Sequence, residues 1–459
     1  MATKKKTPIS PHMRKLSEHL ANAVKKPLKK ELVERVKLHT VDTFAAMISG
    51  TRLLPGQRAI PYVKAIGGTP EAGVVGTRLV VSAANAALAN GMFGHADETD
   101  DTHPPTLTHP GTSVIPAAFA LGERDGLPGA SIIRAIALGY DICARMLLTL
   151  KPVAFLRSGH HAGATGQLFG AAAAAGALLK LNAEEMRYLM AYTGEHTSGL
   201  YAMFRDPEHI EKAYAMGGMP AHNGVAGALM VAHGWTGVED VFSGQRDFFY
   251  TFAPEDVDRN DLVESLGVRH EMMRASIKRW PTGGPIQGPM QVLHELIERH
   301  GIKAAQVAKV VMRLSDTELD IVNGRDMPDI CLQHLIALML VDGKVSFRTT
   351  HDYARMRDPK ILAVRKLVEV VGEESMRDPQ RRWNAGVEIR LKDGRTLTNE
   401  TKAAKGSFAN PIERPELEVK AVDLIAPVLG KQKTAALLSA LWSLDKLDNV
   451  RKLRRLYQK

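Results

Sequence analysis

With 459 residues, 45% of them hydrophobic and 24% charged, the chain has the make-up of a globular protein of two or three domains, which excludes fibrous, collagenous and disordered classes. Aromatic residues are only 5%, and the apolar content is carried by Ala, Leu, Val, Ile and 19 Met, a mixture that favours close-packed helices over sheet sandwiches. The formal charge of +10 sits at the ends: residues 1–37 hold eleven Lys and Arg against Glu18, Glu31 and Glu34, residues 441–459 hold six against Asp445 and Asp448, and the remainder is slightly acidic. Without an aromatic platform or a nucleic-acid module beside it, that charge reads as solvated helix faces and a tail, so no nucleic-acid partner is expected. Cys143 and Cys331, both in apolar surroundings, provide neither a disulfide framework nor a Cys-based zinc site. With no run of about 18 uninterrupted apolar residues and no apolar core behind the basic start, the expectation is a cytoplasmic protein without a membrane span.

From Pro11 to about Asp240 the pattern is helix after helix, punctuated by Gly and Pro. Val81–Phe93, Ile132–Leu150, Gly166–Leu181 and Gly218–Gly234 carry Ala and Gly on several faces, so these helices are expected to be buried all round and to approach one another closely. After about Leu266 the character changes. Gln306–Leu314 alternates apolar and polar residues at period two, and Gly386–Leu391 with Thr396–Thr401 reads as a hairpin about an Asp393-Gly394 turn. Helices are expected at Pro289–His300, Asp329–Leu340 and Asp358–Val371, and again at Glu416–Leu429 and Lys433–Trp442. The expected architecture is mainly α: a large all-helical domain from residues 1–266 plus 411–459, and a smaller α/β lid domain from 267–410.

Four polar segments interrupt this apolar context. His95-Ala-Asp-Glu98-Thr-Asp-Asp101-Thr102 runs on to Thr108-His109-Pro-Gly and holds four acids and three histidines directly after a buried-looking helix. It is open to three readings: a capping and exit loop, an aspartate-rich magnesium motif of the helical prenyl-synthase type, or a proton-transfer site in which acids orient His109 and Thr102. The magnesium reading needs a second acidic set, and none is present in the sequence. His160-His161 precedes a Gly/Ala-rich helix whose N-terminus suits a carboxylate. Lys212 opens the helical run through Gly217-Gly218, and Lys278-Arg279-Trp280-Pro281 stands before a Gly-rich turn at the proposed domain boundary, where clefts form.

Taken in order, these segments resemble the MmgE/PrpD family, which contains 2-methylcitrate dehydratase, cis-aconitate decarboxylase and iminodisuccinate epimerase. The marks are Asp100-Asp101-Thr102 with Thr108-His109-Pro110-Gly111, Gly139-Tyr140-Asp141 with Arg145, His161 before Gly170-Ala-Ala-Ala-Ala-Ala-Gly, Lys212 before Gly217, His233-Gly234-Trp-Thr-Gly237, Lys278-Arg-Trp-Pro281, Leu340-Val-Asp-Gly343 and Gly406 to Pro411. The resemblance spans nearly the whole chain and implies a helical domain with an α/β lid, a homodimer, and neither metal nor organic cofactor. It places functional roles on Glu98, Thr102, His109, His161, Lys212 and Lys278; His109 and His161 are expected to serve as general base and acid, and Lys278, Arg279 and Asp101 to bind substrate. Thr282-Gly283-Gly284-Pro285 stands where relatives carry a histidine, and His334 is the candidate to supply that imidazole. The implied chemistry is proton removal beside a carboxylate of a small di- or tricarboxylic acid, with Lys and His neutralising the developing charge. A 2-methylcitrate dehydratase-like hydro-lyase is the leading expectation. A decarboxylase, an epimerase and a binding protein without activity are the alternatives.

Overall fold

The four Ala/Gly-rich helices are present at Ala83–Gly94, Gly129–Leu150, Ala162–Leu178 and Met219–Ala232, in a computed structural model that describes residues 8–253 and 255–459. Small residues let their backbones meet. A Cβ added at Gly170 would lie 2.5 Å from the Gly139 carbonyl oxygen, and one at Gly217 would lie 2.1 Å from that of Gly91, so each pair of helices packs at a distance only glycine permits. Ser10, Ser82 and Asn182 cap helix starts through side-chain oxygens that accept backbone N–H groups, and His161 does the same through a ring nitrogen.

The chain divides into two compact units. The first comprises the described residues through Ala96 together with Thr106–Arg274 and Ile425–Lys459. Apart from a two-residue strand pair at Ala72–Gly73 and Val80–Val81 it is helical. Arg145, fully buried, anchors the end of its long central helix: it pairs with Asp141 at 2.9 Å and donates to the carbonyls of Glu264 at 2.6 Å and Arg269 at 3.0 Å.

The second unit comprises Asp97–Pro105 and Ala275–Leu424. Its four-stranded sheet runs in the order 368–373, 307–315, 385–391, 396–401; the first pair is parallel and the others antiparallel. Helices Gln287–His300 and Leu332–Asp342 supply Met290, Leu293, Leu335 and Leu338 to its core against Val310, Met312, Val387 and Ile389. The crossings fall at 274 and 424, against expected boundaries of 266 and 410, and the acidic segment 97–105 belongs with the second unit. The continuous helix expected over Asp358–Val371 is instead a helix at Pro359–Arg365 followed by a strand at Val368–Glu373. Val368, Val370 and Val371 are β-branched and complete the parallel pairing with Val307–Ser315, and that sheet edge outweighs continued helical spacing. No helix among the described residues is long and apolar enough to cross a membrane.

Candidate active site

The first unit gathers imidazoles around one ammonium. The helix Ala162–Leu178 starts at His161, whose Nδ1 accepts the Ala164 N–H at 3.3 Å and whose backbone N–H donates to Gly199. Burial, reinforced by the positive charge of Lys212 and by His109 and His95, pushes the His161 pKa down to about 3. His161 is therefore neutral at physiological pH, and because Nδ1 is an acceptor its proton sits on Nε2. It offers an N–H donor rather than a base.

Lys212 lies in the short helix Ile210–Ala213, which runs into a π-helical turn at Tyr214–Gly218 before Met219–Ala232. A π-turn of this kind is a common device where a helix must aim a functional residue. The Lys212 ammonium stands 5.4 Å from the centre of the Phe204 ring, and that ring meets His161 edge-on at 5.2 Å. His95 lies 4.9 Å from His109 and 5.4 Å from His209, ring centre to ring centre. Gln167, fully buried nearly two turns further along the His161 helix, ties the cluster together. Its carbonyl accepts the His109 backbone N–H at 2.9 Å, and its amide donates to Thr112 Oγ1 at 2.9 Å, to Ser113 Oγ at 3.0 Å and to the Met216 carbonyl.

In the second unit two buried lysines hold the acidic segment. Lys278 Nζ donates to the Glu98 carbonyl at 2.7 Å and reaches Asp100 at 3.5 Å, while Lys420 Nζ donates to the carbonyls of Thr99 at 2.8 Å and Lys278 at 2.9 Å. Burial works against the charge on Lys278, but Asp100, Glu98 and Asp97 outweigh it and hold its pKa above the ordinary lysine value. Thr102 pairs in both directions with Ser276 through main-chain hydrogen bonds of 2.9 and 2.7 Å. Asp97 caps Thr99 and forms an ion pair with His351 at 3.0 Å.

Two family models match the chain. The MmgE/PrpD N-terminal domain model covers residues 14–260 and the C-terminal domain model covers residues 280–445. The chain belongs to the MmgE/PrpD family. It is 25% identical over 398 residues to cis-aconitate decarboxylase of Mus musculus, covering 81% of this chain and 78% of the mouse protein. To the Homo sapiens enzyme of that name it is 24% identical over 445 residues, 91% of this chain and 88% of the other. A third, from Aspergillus terreus strain NIH 2624, is 22% identical over 457 residues, 93% and 91% respectively. The protein is a lyase of this family.

Of the residues singled out in the sequence of this MmgE/PrpD lyase, His109, His161 and Lys212 come together in the first unit, and Glu98, Asp101, Thr102, Lys278 and Arg279 lie in the second. Lys278, expected to bind substrate, is 1% exposed, and its ammonium donates to the backbone of the acidic segment at Glu98. Arg279 stacks its guanidinium 4.8 Å from the Trp280 ring centre. His334 is fully buried, and the charges that act on it are those of Arg365, Arg355, Asp342 and Asp352; burial with the two arginines pulls it down to about 4. Within the second unit, His351 is an imidazole that does reach the acidic segment, at Asp97. Neither it nor Gln167 and Lys420 stood out in the sequence: His351 follows Thr349-Thr350 in a polar stretch, Gln167 is one amide in an alanine-rich helix, and only Lys420, a cation on an apolar helical stripe, left a usable signal.

His351 also marks a pH dependence. Burial opposes its charge, but Asp97 and Asp329 outweigh burial and push it up to about 9. A group raised from 6.5 in the unfolded chain to about 9 in the folded one contributes stability that is whole below pH 6.5 and lost as the pH climbs through 9. His351→Gln is expected to cost the second unit on the order of 3 kcal/mol at pH 6.5, with the gap to wild type shrinking towards pH 9.5 in urea unfolding. A gap that does not change with pH would show that His351 is neutral in the folded protein.

Proposed function

We propose that this lyase decarboxylates cis-aconitate or a closely similar unsaturated tricarboxylate, in preference to the dehydration of 2-methylcitrate that led the expectations from sequence. The observation that carries the reading is the neutral, N–H-bearing His161 beside the Lys212 ammonium; the cis-aconitate decarboxylases of mouse, human and Aspergillus terreus, matched over most of their length, support the choice of reaction. Loss of CO2 leaves its bonding electron pair on the substrate, where it delocalises through the double bond towards a remaining carboxylate. Lys212 and the His161 Nε2–H stabilise that carboxylate as its charge grows, and His109 delivers the one proton that completes the product.

The test is proton NMR in D2O over cis-aconitate, 2-methylcitrate and amino-dicarboxylates, with CO2 measured in parallel. Release of CO2 from cis-aconitate, with one deuterium entering the five-carbon product, is the expected result. Formation of water and an alkene from 2-methylcitrate would restore the hydro-lyase reading, deuterium exchange without net change would favour an epimerase, and silence across the panel would leave a binding protein. Prolonged chelation is expected to leave turnover unchanged, whereas loss that magnesium restores would return the aspartate-rich reading.

The adjacent histidines separate a catalytic from a structural role. His160 stacks on Phe155 with ring centres 4.9 Å apart and meets Phe252 at 5.8 Å, whereas His161 faces Lys212 and His109. His161→Ala is expected to lower turnover by roughly a hundredfold or more. His160→Ala is expected to lower the melting temperature by a few degrees, through the loss of on the order of 1 kcal/mol of stacking, while leaving turnover nearly intact. Equal loss of turnover in both would show that the pair is only structural.

A further inference from the structure

The basic N-terminal segment, surplus to the lyase site, lines a cavity. About 800 Å³ in volume, it lies within the first unit between the helix Pro11–Asn22, the turn that follows it, the middle of the helix Gly129–Leu150 and the loop at 266–270. This is the size of a cofactor or nucleotide site. Lys15, Lys25, Lys26, Lys29 and Arg134 line it, and none of the five forms an ion pair among the described residues: Lys25 donates to Asn22 and Arg134 to Ser131, both neutral. Of the two acids in the lining, Asp141 is committed to Arg145 at 2.9 Å and to the Glu271 N–H at 3.0 Å, which leaves Glu18 alone against five cations. The local potential registers on His19, another lining residue, whose pKa falls to about 4 through burial and the nearby charges of Arg145, His270 and Lys26. Leu28, Leu138, Leu266 and Val268 supply an apolar surface, and Val268 is left 80% exposed.

Unpaired ammonium groups set around an apolar surface fit a ligand with an apolar body and concentrated negative charge. Lysine favours phosphate over a single carboxylate, because it acts as a mobile point charge and a phosphate brings a charge near −2 with several acceptor oxygens. We propose that this cavity binds an organic diphosphate of nucleoside-diphosphate size, at a site distinct from the histidine–lysine cluster. The diphosphate lies against Lys25, Lys26, Lys29 and Arg134, and the organic body lies on Leu138 and Val268.

The probes are ADP, pyrophosphate and adenosine, titrated calorimetrically into the intact 459-residue chain. ADP is expected to bind one to one, pyrophosphate at least tenfold more weakly, and adenosine more weakly still, with ADP affinity falling steeply as salt is raised. The triple variant K25E/K26E/K29E changes exposed side chains and is expected to keep the fold and the lyase turnover while losing at least tenfold in ADP affinity. Arg134→Gln is expected to lose less. No ADP binding by wild type, equal binding by the triple variant, or loss of ADP binding in Lys212→Ala would each overturn the proposal. A change of oligomeric state on charge reversal, without a change in ADP affinity, would assign the cavity to contact with a second copy and overturn it equally.

Discussion

Replacing Lys212 by Ala is expected to lower kcat by roughly 10²–10³ while leaving the fold intact, the loss seen when one preorganised donor is removed from a developing anion. The side chain is half-buried, its ammonium stands over the Phe204 ring, and its charge helps to keep the His161 imidazole neutral. Two effects therefore follow from one substitution. Turnover falls because the carboxylate that gathers charge during the reaction loses its cation. The His161 pKa rises because the neighbouring positive charge is gone, so an NMR titration of the ring moves towards the ordinary histidine value. Lys212→Arg keeps the charge and should hold the titration near wild type, yet its fork is longer than the ammonium and turnover should recover only in part. If kcat is unchanged in Lys212→Ala and only KM rises, the ammonium binds ground state and transition state alike, and its catalytic role is withdrawn.

Helical spacing and small residues made the first unit readable, because an all-round Ala/Gly helix has few ways to pack except against another. Gly91 against Gly217 and Gly139 against Gly170 are the physical counterpart of that pattern. The hairpin about Asp393-Gly394 was equally legible, since its turn needs a residue at positive φ and Gly394 sits at +90°. The strand at Val368–Glu373 was not legible, because its identity depends on an edge offered by Val307–Ser315 some sixty residues earlier. The site follows the same division. His109, His161 and Lys212 stand out as polar residues beside glycine-rich helix starts, whereas Gln167 and His351 acquire their roles only through partners distant in sequence, Met216 for one and Asp97 for the other. The family resemblance and its place before a Gly-rich turn suggested Lys278 as a ligand for substrate, while the fold turns its ammonium to the Glu98 carbonyl.

That inward role makes Lys278→Met the severest single change expected in the second unit. Methionine matches the length of the aliphatic stem and fills its volume, so the loss is of charge and hydrogen bonds rather than of packing. The Glu98 carbonyl then lacks its 2.7 Å donor, and buried Asp100 loses a cation that holds it at 3.5 Å. Breaking a buried ion pair from one side costs about 3–5 kcal/mol, because the surviving charge stays desolvated. Lys420 still holds the Thr99 carbonyl at 2.8 Å, so the segment remains tethered at one point while its acids repel one another. The adjoining Asp97 already depends on His351 for its charge balance. Unfolding in urea should therefore show the second unit weakened by several kcal/mol. Adding Asp100→Asn to Lys278→Met removes the carboxylate that Lys278 balances and should recover part of that stability without recovering turnover, since Glu98 and Thr102 remain misplaced. A double variant no more stable than Lys278→Met would mean that the cost lies in the lost Glu98 carbonyl bond. A double variant with full turnover would show that the acidic segment takes no part in the chemistry.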